Sequence, residues 1–187
     1  MKHALRTCAL IAAVMGPATL PAQSTERSVS VGVSGGLSLP MGDLGDVANS
    51  GYNLTGHLFF KPAALPSVRL RADVSYDRWD YRNIVRSAGA EQTLGFVGNV
   101  VYDFPKASSS MLRPYVLGGL GLFRVRTSIT RSGGAVGPVD SNLGLQVGGG
   151  LTFQLSDFST FAEARFVNVF GDGGSSRYVP ITFGVRF

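Results

Sequence analysis

The chain has 187 residues, enough for one domain and a short processed leader. Its formal net charge of +5 includes basic residues at the very front, and no basic cluster interleaved with aromatics supports nucleic-acid binding. The one cysteine, Cys8, lies in the leader, which excludes disulfides and thiol chemistry in the processed chain.

Residues 1–22 have the organisation of a secretory signal peptide. A basic start is followed by an apolar run over residues 8–15 and then by the helix-breaking pair Gly16–Pro17. That run is shorter than the roughly 20 residues that a membrane-spanning helix needs. We therefore expect export, with residues 23–187 forming the mature domain; cleavage four residues earlier is an alternative.

Alternation of apolar and polar residues predicts eight strands after the leader. Successive side chains of a β-strand point to opposite faces, so an apolar residue at every second position creates one apolar face. The pattern is clear at the first strand, where Val29, Val31 and Val33 alternate with serine and glycine. The predicted strands cover residues 28–39, 52–60, 68–79, 91–104, 113–127, 141–155, 160–170 and 179–187.

The connections between these strands alternate between longer and shorter segments rich in turn-forming residues. An even number of strands places both chain ends on one side, so the longer connections share the opposite side. The longer connections are residues 41–51, 80–90, 128–140 and 171–176. The shorter ones are residues 61–67, 105–112 and 156–159.

The last predicted strand alternates throughout and ends on an aromatic residue. Its apolar positions are Val179, Ile181, Phe183, Val185 and Phe187. A strand at the chain terminus needs a partner on each edge, and pairing with the first strand closes a barrel. This strand, with residues 113–121 and 161–166, resembles the small OmpA/OmpX-like outer-membrane β-barrel domains.

The resemblance covers essentially the whole mature chain. It implies an all-β, eight-stranded antiparallel up-and-down transmembrane β-barrel in the outer membrane of a Gram-negative-type bacterium. It also implies that Phe183, Val185 and Phe187 form the assembly signal read by the barrel-assembly machinery. The expected surroundings are outer-membrane lipid and lipopolysaccharide, and we expect a monomer without a cofactor.

Alternation alone does not decide whether the apolar face lines the barrel or covers it. The apolar face is nearly free of charge, with Arg78 as the main exception. It also carries aromatics near strand ends, as interfacial girdles of membrane barrels do. These aromatics are Tyr52, Phe60, Tyr76, Phe104, Tyr115, Phe123, Phe153, Phe170 and Phe187. We predict that the apolar face is outside; a secreted, apolar-lined lipid-binding barrel is the alternative.

The polar face predicts a charged barrel interior. Buried charges must be paired, and pairing fills the narrow lumen of an eight-stranded barrel. We expect a structural network, with an ion-selective path as the alternative. Its predicted members are Arg69, Arg71, Asp73, Asp77, Asp103, Arg124, Arg126, Glu163, Arg165 and Arg186.

His57 is the only histidine of the mature chain and the obvious candidate for a general base. A lipid-modifying barrel would pair it with a serine nucleophile and a carboxylate. No local motif places such partners, so we predict no catalytic site. Asp43 and Asp46 lack the spacing of a calcium loop, and we predict no metal site.

The predicted function is non-enzymatic. We expect a structural, envelope-integrity or surface-interaction role through the outer loops, in which Arg82, Arg86 and Arg131 are candidate contacts for lipopolysaccharide phosphates or a host ligand. A small pore or a conduit for hydrophobic solutes is the alternative.

Overall fold

The computed structural model describes residues 28–81, 89–105, 111–131, 134–136, 139–155, 157–171 and 174–187, with the side chains of all of these except 129–131 and 134–136. The regular secondary structure of the described residues consists of strands and one short helix. They are β1 Val29–Met41, α1 Asp43–Val47, β2 Gly51–Phe60, β3 Val68–Asp80, β4 Gly89–Asp103, β5 Leu112–Arg131, β6 Gly134–Val136, β7 Val139–Gln154, β8 Ser159–Gly171 and β9 Gly174–Arg186.

Eight of these strands close into an antiparallel up-and-down barrel. Each pairs with the next barrel strand in the chain, and β9 pairs with β1 to complete the ring. The seam is aligned by pairs such as Leu37 with Ile181, and the Phe187 amide donates to the Val31 carbonyl at 2.8 Å. The predicted fold is confirmed.

The apolar face covers the barrel and the polar face lines it. Neighbouring residues of β2 show the contrast, since Leu54 is 63% exposed and Thr55 is 1% exposed. Exposed apolar residues occur on all eight barrel strands, an arrangement that lipid accommodates and water does not. The alternative of an apolar-lined soluble barrel is therefore wrong.

The predicted orientation of β5 is also wrong. Arg124 and Arg126 face outward and are exposed, whereas Tyr115 and Phe123 are buried inside. Apolar residues occupy both faces of this strand, so alternation does not choose between them. The neighbouring strands make the choice: a Cβ on Gly144 would lie 2.6 Å from the Phe123 ring, so the missing side chain leaves the space that the ring fills.

At the end of the barrel where β1 ends and β9 begins, called here the loop end, the described residues have more regular secondary structure than predicted. β5 continues to Arg131, and its last three residues pair antiparallel with β6. β9 begins at Gly174 rather than 179, since Ser175 and Ser176 pair with β8. The first long connection contains α1. No helix in the described ranges is long and apolar enough to cross a membrane.

Candidate functional site

The middle of the lumen holds a network of buried charged side chains, called here the polar core. A bidentate ion pair crosses the barrel between β3 and β8, which are not neighbouring strands. Arg71 donates from Nη1 to Glu163 Oε2 at 2.6 Å and from Nη2 to Oε1 at 3.1 Å. The Tyr115 hydroxyl also donates to Oε2, at 2.7 Å. Arg165 Nε lies 3.3 Å from Oε1, so Glu163 has several compensating partners.

Asp73 is the second centre of the polar core. Its Oδ2 accepts from Arg71 Nε at 3.1 Å and from Asn99 Nδ2 at 2.9 Å. Gln146 Nε2 donates to the same oxygen at 3.3 Å. His57 Nδ1 lies 2.7 Å from the other oxygen, Oδ1. Side chains of six strands, β2, β3, β4, β5, β7 and β8, thus meet near the barrel axis, and the buried charges are compensated as burial requires.

Ser34, His57 and Asp73 have the spacing of a nucleophile–base–acid triad. When Nδ1 of His57 donates to Asp73, Nε2 accepts from the Ser34 hydroxyl at 2.8 Å. No local sequence motif marks this group, because its three residues lie on different strands. The signal lies in the register of three consecutive strands, since His57 pairs with both Gly32 and Asp73 and all three triad side chains point inward.

The surroundings of the triad do not suit acyl transfer. Ser34 is buried, and the His57 ring is flanked by Phe59 and Phe161 at centroid distances of 5.7 and 5.4 Å. β1 is paired on both edges, so its backbone amides serve the two ladders instead of forming an oxyanion hole. The triad is therefore part of the polar core, where it orients the histidine.

Above the polar core, towards the loop end, an apolar plug closes the lumen. Trp79 and Tyr178 pack with ring centroids 4.7 Å apart, and Trp79 Nε1 donates to the Ser38 carbonyl at 3.1 Å. Leu44 of α1 and Ala48, the residue after α1, contribute their side chains to the top of the plug. The buried members of the plug are Leu44, Ala48, Trp79, Val97, Phe123, Val167, Val169 and Tyr178.

Below the polar core, at the end where β1 begins and β9 ends, the lumen opens into a cavity of about 450 Å³, called here the terminal vestibule. Arg69 and Asp103 form a bidentate pair in it, with two hydrogen bonds of 2.6 Å. Arg186 donates from Nε to the Ser159 hydroxyl at 3.1 Å. Access to the lumen is thus possible from this end but stops at the polar core.

The structure divides the predicted interior residues into two groups. Arg69, Arg71, Asp73, Asp77, Asp103, Glu163 and Arg165 are buried in the lumen, and Arg186 lines the terminal vestibule. Arg124 and Arg126 are on the outer wall, as described for β5. The predicted assembly residues Phe183, Val185 and Phe187 face outward beside the seam with β1. Arg82 and Arg86 lie outside the described residues; of Arg131 the structure describes the backbone, in β5.

Arg78, Arg124 and Arg126 form a group on the outer wall near the loop end, called here the arginine belt. Strand pairing aligns Arg78, Gln92, Arg126 and Val139 in one row across four strands. The next row on the same outer face, one step closer to the middle of the barrel, holds Tyr76, Leu94, Arg124 and Ser141. The row after that is entirely apolar, with Val74, Phe96, Leu122 and Leu143. The belt therefore marks the edge of the apolar wall.

A shallow depression of about 330 Å³ lies within the belt. It is lined by Tyr76, Gln92, Leu94, Arg124, Arg126 and Val139. Arg78 has a long, exposed ion pair with Asp80 at 3.6 Å. In the part of the chain that the structure describes, no carboxylate forms an ion pair with Arg124 or Arg126.

Comparison with known proteins places this architecture in a family. The family model for the outer membrane protein beta-barrel domain matches residues 8–187. A search among curated proteins found no match.

Several solved structures share the fold. The crystal structure of Neisserial surface protein A (NspA) has a TM-score of 0.64 and 18% identity, covering 85% of this chain and 96% of that one. A major outer membrane protein from Thermus thermophilus gives 0.56 and 11%, covering 85% and 98%. The attachment invasion locus protein Ail of Yersinia pestis, in complex with the heparin analogue sucrose octasulfate, gives 0.54 and 16%, covering 85% and 97%.

Proposed function

Because the chain belongs to the outer membrane β-barrel domain family, we propose that it is a non-enzymatic envelope protein whose outer wall binds phosphorylated lipid of the outer leaflet. The observation that carries the proposal is the arginine belt at the edge of the apolar wall. In this function the loops face the exterior and take part in surface interactions. The lumen is closed to solutes.

The position of the belt along the barrel axis supports this function. With the chain termini and the shorter connections on the periplasmic side, the loop end faces outward, and the belt lies level with the outer-leaflet headgroups. Arginine on the lipid-facing wall of a barrel costs about 2–4 kcal/mol at the bilayer midplane but about 0–1 kcal/mol near the interface. An outward-facing pair such as Arg124 and Arg126 is therefore tolerated at the headgroup level.

The chemistry of the belt also suits a phosphate. A guanidinium offers planar, bidentate donors to phosphate oxygens, and these charge-assisted bonds are stronger than neutral ones. Tyr52 and Tyr76 lie beside the belt with ring centroids 6.1 Å apart, as aromatic side chains do at a membrane interface. Ail was crystallised with a sulfated heparin analogue, so a protein of this fold can hold a polyanion.

The closed lumen disfavours the alternative of a pore or a hydrophobic-solute conduit. The apolar plug, with Trp79, Phe123 and Tyr178, fills the lumen above the ion pairs of the polar core. An eight-stranded barrel interior is only wide enough to be filled by its own side chains. We therefore propose no transport role.

One further partner and the oligomeric state belong to this proposal. The barrel-assembly machinery recognises the outward-facing Phe183, Val185 and Phe187, which lie on the strand that closes the barrel. In this proposal the protein acts as a monomer.

The lipid-binding role is tested by replacing Arg124 and Arg126 together with glutamine. We expect at least a tenfold weaker affinity of the purified, folded barrel for lipopolysaccharide, because two charge-assisted hydrogen-bond donors to phosphate are lost. The measurement is equilibrium binding of labelled lipopolysaccharide in detergent, with a dephosphorylated lipid as the second probe.

The matched control for this experiment is Arg177→Gln. Arg177 is also exposed at the loop end, but it lies on β9, away from the belt, and donates to the Ser175 hydroxyl at 3.3 Å. The proposal is overturned if the double variant binds as tightly as the wild type, or if Arg177→Gln causes an equal loss. It is also overturned if removal of the phosphates leaves the affinity unchanged.

The non-enzymatic part of the proposal is tested at the triad. We expect a fluorophosphonate probe to leave Ser34 unlabelled in the folded barrel, because Phe59 and Phe161 cover the histidine and no oxyanion donors are in place. Mass spectrometry of the probe-treated protein provides the measurement, with an active serine hydrolase in the same detergent as control. Labelling of Ser34 that disappears in His57→Ala would instead show a working nucleophile.

A further inference from the structure

The terminal vestibule has more cationic than anionic side chains. Lys61, Arg69, Arg113 and Arg186 line it, against the two carboxylates of Asp103 and Asp157. A cavity in which one sign of charge predominates, enclosed by low-dielectric walls, concentrates ions of the opposite sign.

The arginines of the vestibule differ in how their charge is compensated. Asp103 is engaged by Arg69 through both of its oxygens. Across the described ranges, neither Arg113 nor Arg186 has an ion pair with a carboxylate. The hydrogen bond from Arg186 goes to the neutral Ser159 hydroxyl and uses only Nε. Its terminal amino groups are therefore available to an external anion.

The aromatic ring of Phe59 contacts Arg186 and orients its guanidinium. The guanidinium carbons of Arg69 and Arg186 each lie 5.5 Å from the centroid of the buried Phe59 ring. Such cation–π contacts orient a guanidinium without neutralising it. The guanidinium carbon of Arg71 lies 5.9 Å from the same ring, but Arg71 is paired with Glu163. The like charges of Arg69 and Arg186 repel each other, and a bound anion relieves this repulsion. The site is thus organised before the ligand arrives.

We propose that the terminal vestibule is a binding site for a small soluble anion carrying two or more phosphate or carboxylate groups, held by Arg186 and Arg113. The cavity volume of about 450 Å³ falls within the range of small-molecule pockets, roughly 300–1,000 Å³. The ligand enters from the end where β1 begins and β9 ends. The polar core stops it from passing further, so the site binds without conducting.

Calorimetric titration of the purified, folded full-length barrel in detergent tests the proposal. Sodium pyrophosphate and sodium citrate are the probes, and comparison of the two shows whether phosphate or carboxylate is preferred. We expect saturable binding of at least one probe and at least a tenfold weaker affinity in Arg186→Gln, because a bidentate, charge-assisted contact is lost. Arg186→Lys keeps the charge without the planar fork and is expected to give an intermediate affinity.

The heat-dependent gel shift of the barrel shows whether Arg186→Gln folds. If it does not fold, two further variants test the proposal. Arg113→Gln removes the second unpaired arginine, and Ser30→Glu places a competing carboxylate on the vestibule wall. Both are expected to weaken the binding, whereas Arg177→Gln at the other end is expected to leave it unchanged. The proposal is overturned if neither probe binds, or if the vestibule variants bind as tightly as Arg177→Gln.

Discussion

Replacing Arg71 with methionine is expected to lower the free energy of unfolding of the barrel by about 3–5 kcal/mol. The methionine fills a similar volume but leaves two buried carboxylates, Glu163 and Asp73, without their principal cationic partner. Removing one member of a buried ion pair is costly because the remaining charge stays desolvated. The emission of Trp79, the only tryptophan and a buried one, reports denaturant unfolding of the barrel in lipid vesicles.

The double variant Arg71→Met with Glu163→Gln separates loss of the ion pair from loss of packing. Neutralising Glu163 removes one of the uncompensated charges, so the double variant is expected to be more stable than Arg71→Met alone. Arg177→Met, on the exposed loop end, is the control and is expected to change stability by at most about 0.5 kcal/mol. A loss below about 1 kcal/mol in Arg71→Met would contradict the structural role of the polar core.

Phe123→Ala is expected to destabilise the barrel by about 3–5 kcal/mol. The Phe123 ring is only 1% exposed and lies in the apolar plug, in space left by the missing side chains of Gly95 and Gly144. Surrounding strands are tied by their ladders and cannot collapse fully into the vacated space, so a cavity term adds to the lost burial. The same denaturant titration provides the measurement.

Phe96→Ala is the matched control for Phe123→Ala. Phe96 is 52% exposed on the neighbouring strand and faces outward. Lipid chains can fill the space that its ring vacates, so the cavity term is absent and the loss is expected to be smaller. An equal or larger loss in Phe96→Ala would support the orientation of β5 that the sequence pattern predicted, with Phe123 towards the lipid.

Most of the barrel could be predicted from the sequence because its strands carry a local signal. At the first strand, Val29, Val31 and Val33 are outward-facing as their alternation indicates, and Phe183 and Phe187 are outward-facing at the closing strand. The signal is reliable because a strand has a period of two and one of its faces meets only lipid. The inward placement of Arg71, Asp73 and Glu163 follows from the same rule.

The rule failed where both faces of a strand carry apolar residues. In β5 the alternation is ambiguous, and glycines on the neighbouring strands decided that Phe123 is inside and Arg124 outside. The arginine belt was missed for this reason. The space for the Phe123 ring is left by glycines on β4 and β7, so the sequence of β5 alone does not indicate it.

The sequence by itself determined the number of barrel strands, the two faces of every barrel strand but β5, and the closing strand, because these depend on residues two positions apart. Only the tertiary structure decided which charges meet. Arg71 and Glu163 are 92 positions apart, and Ser34, His57 and Asp73 come from three different strands. Strand register, barrel curvature and the filling of a narrow lumen set these contacts, and each depends on the whole ring of strands rather than on any single segment.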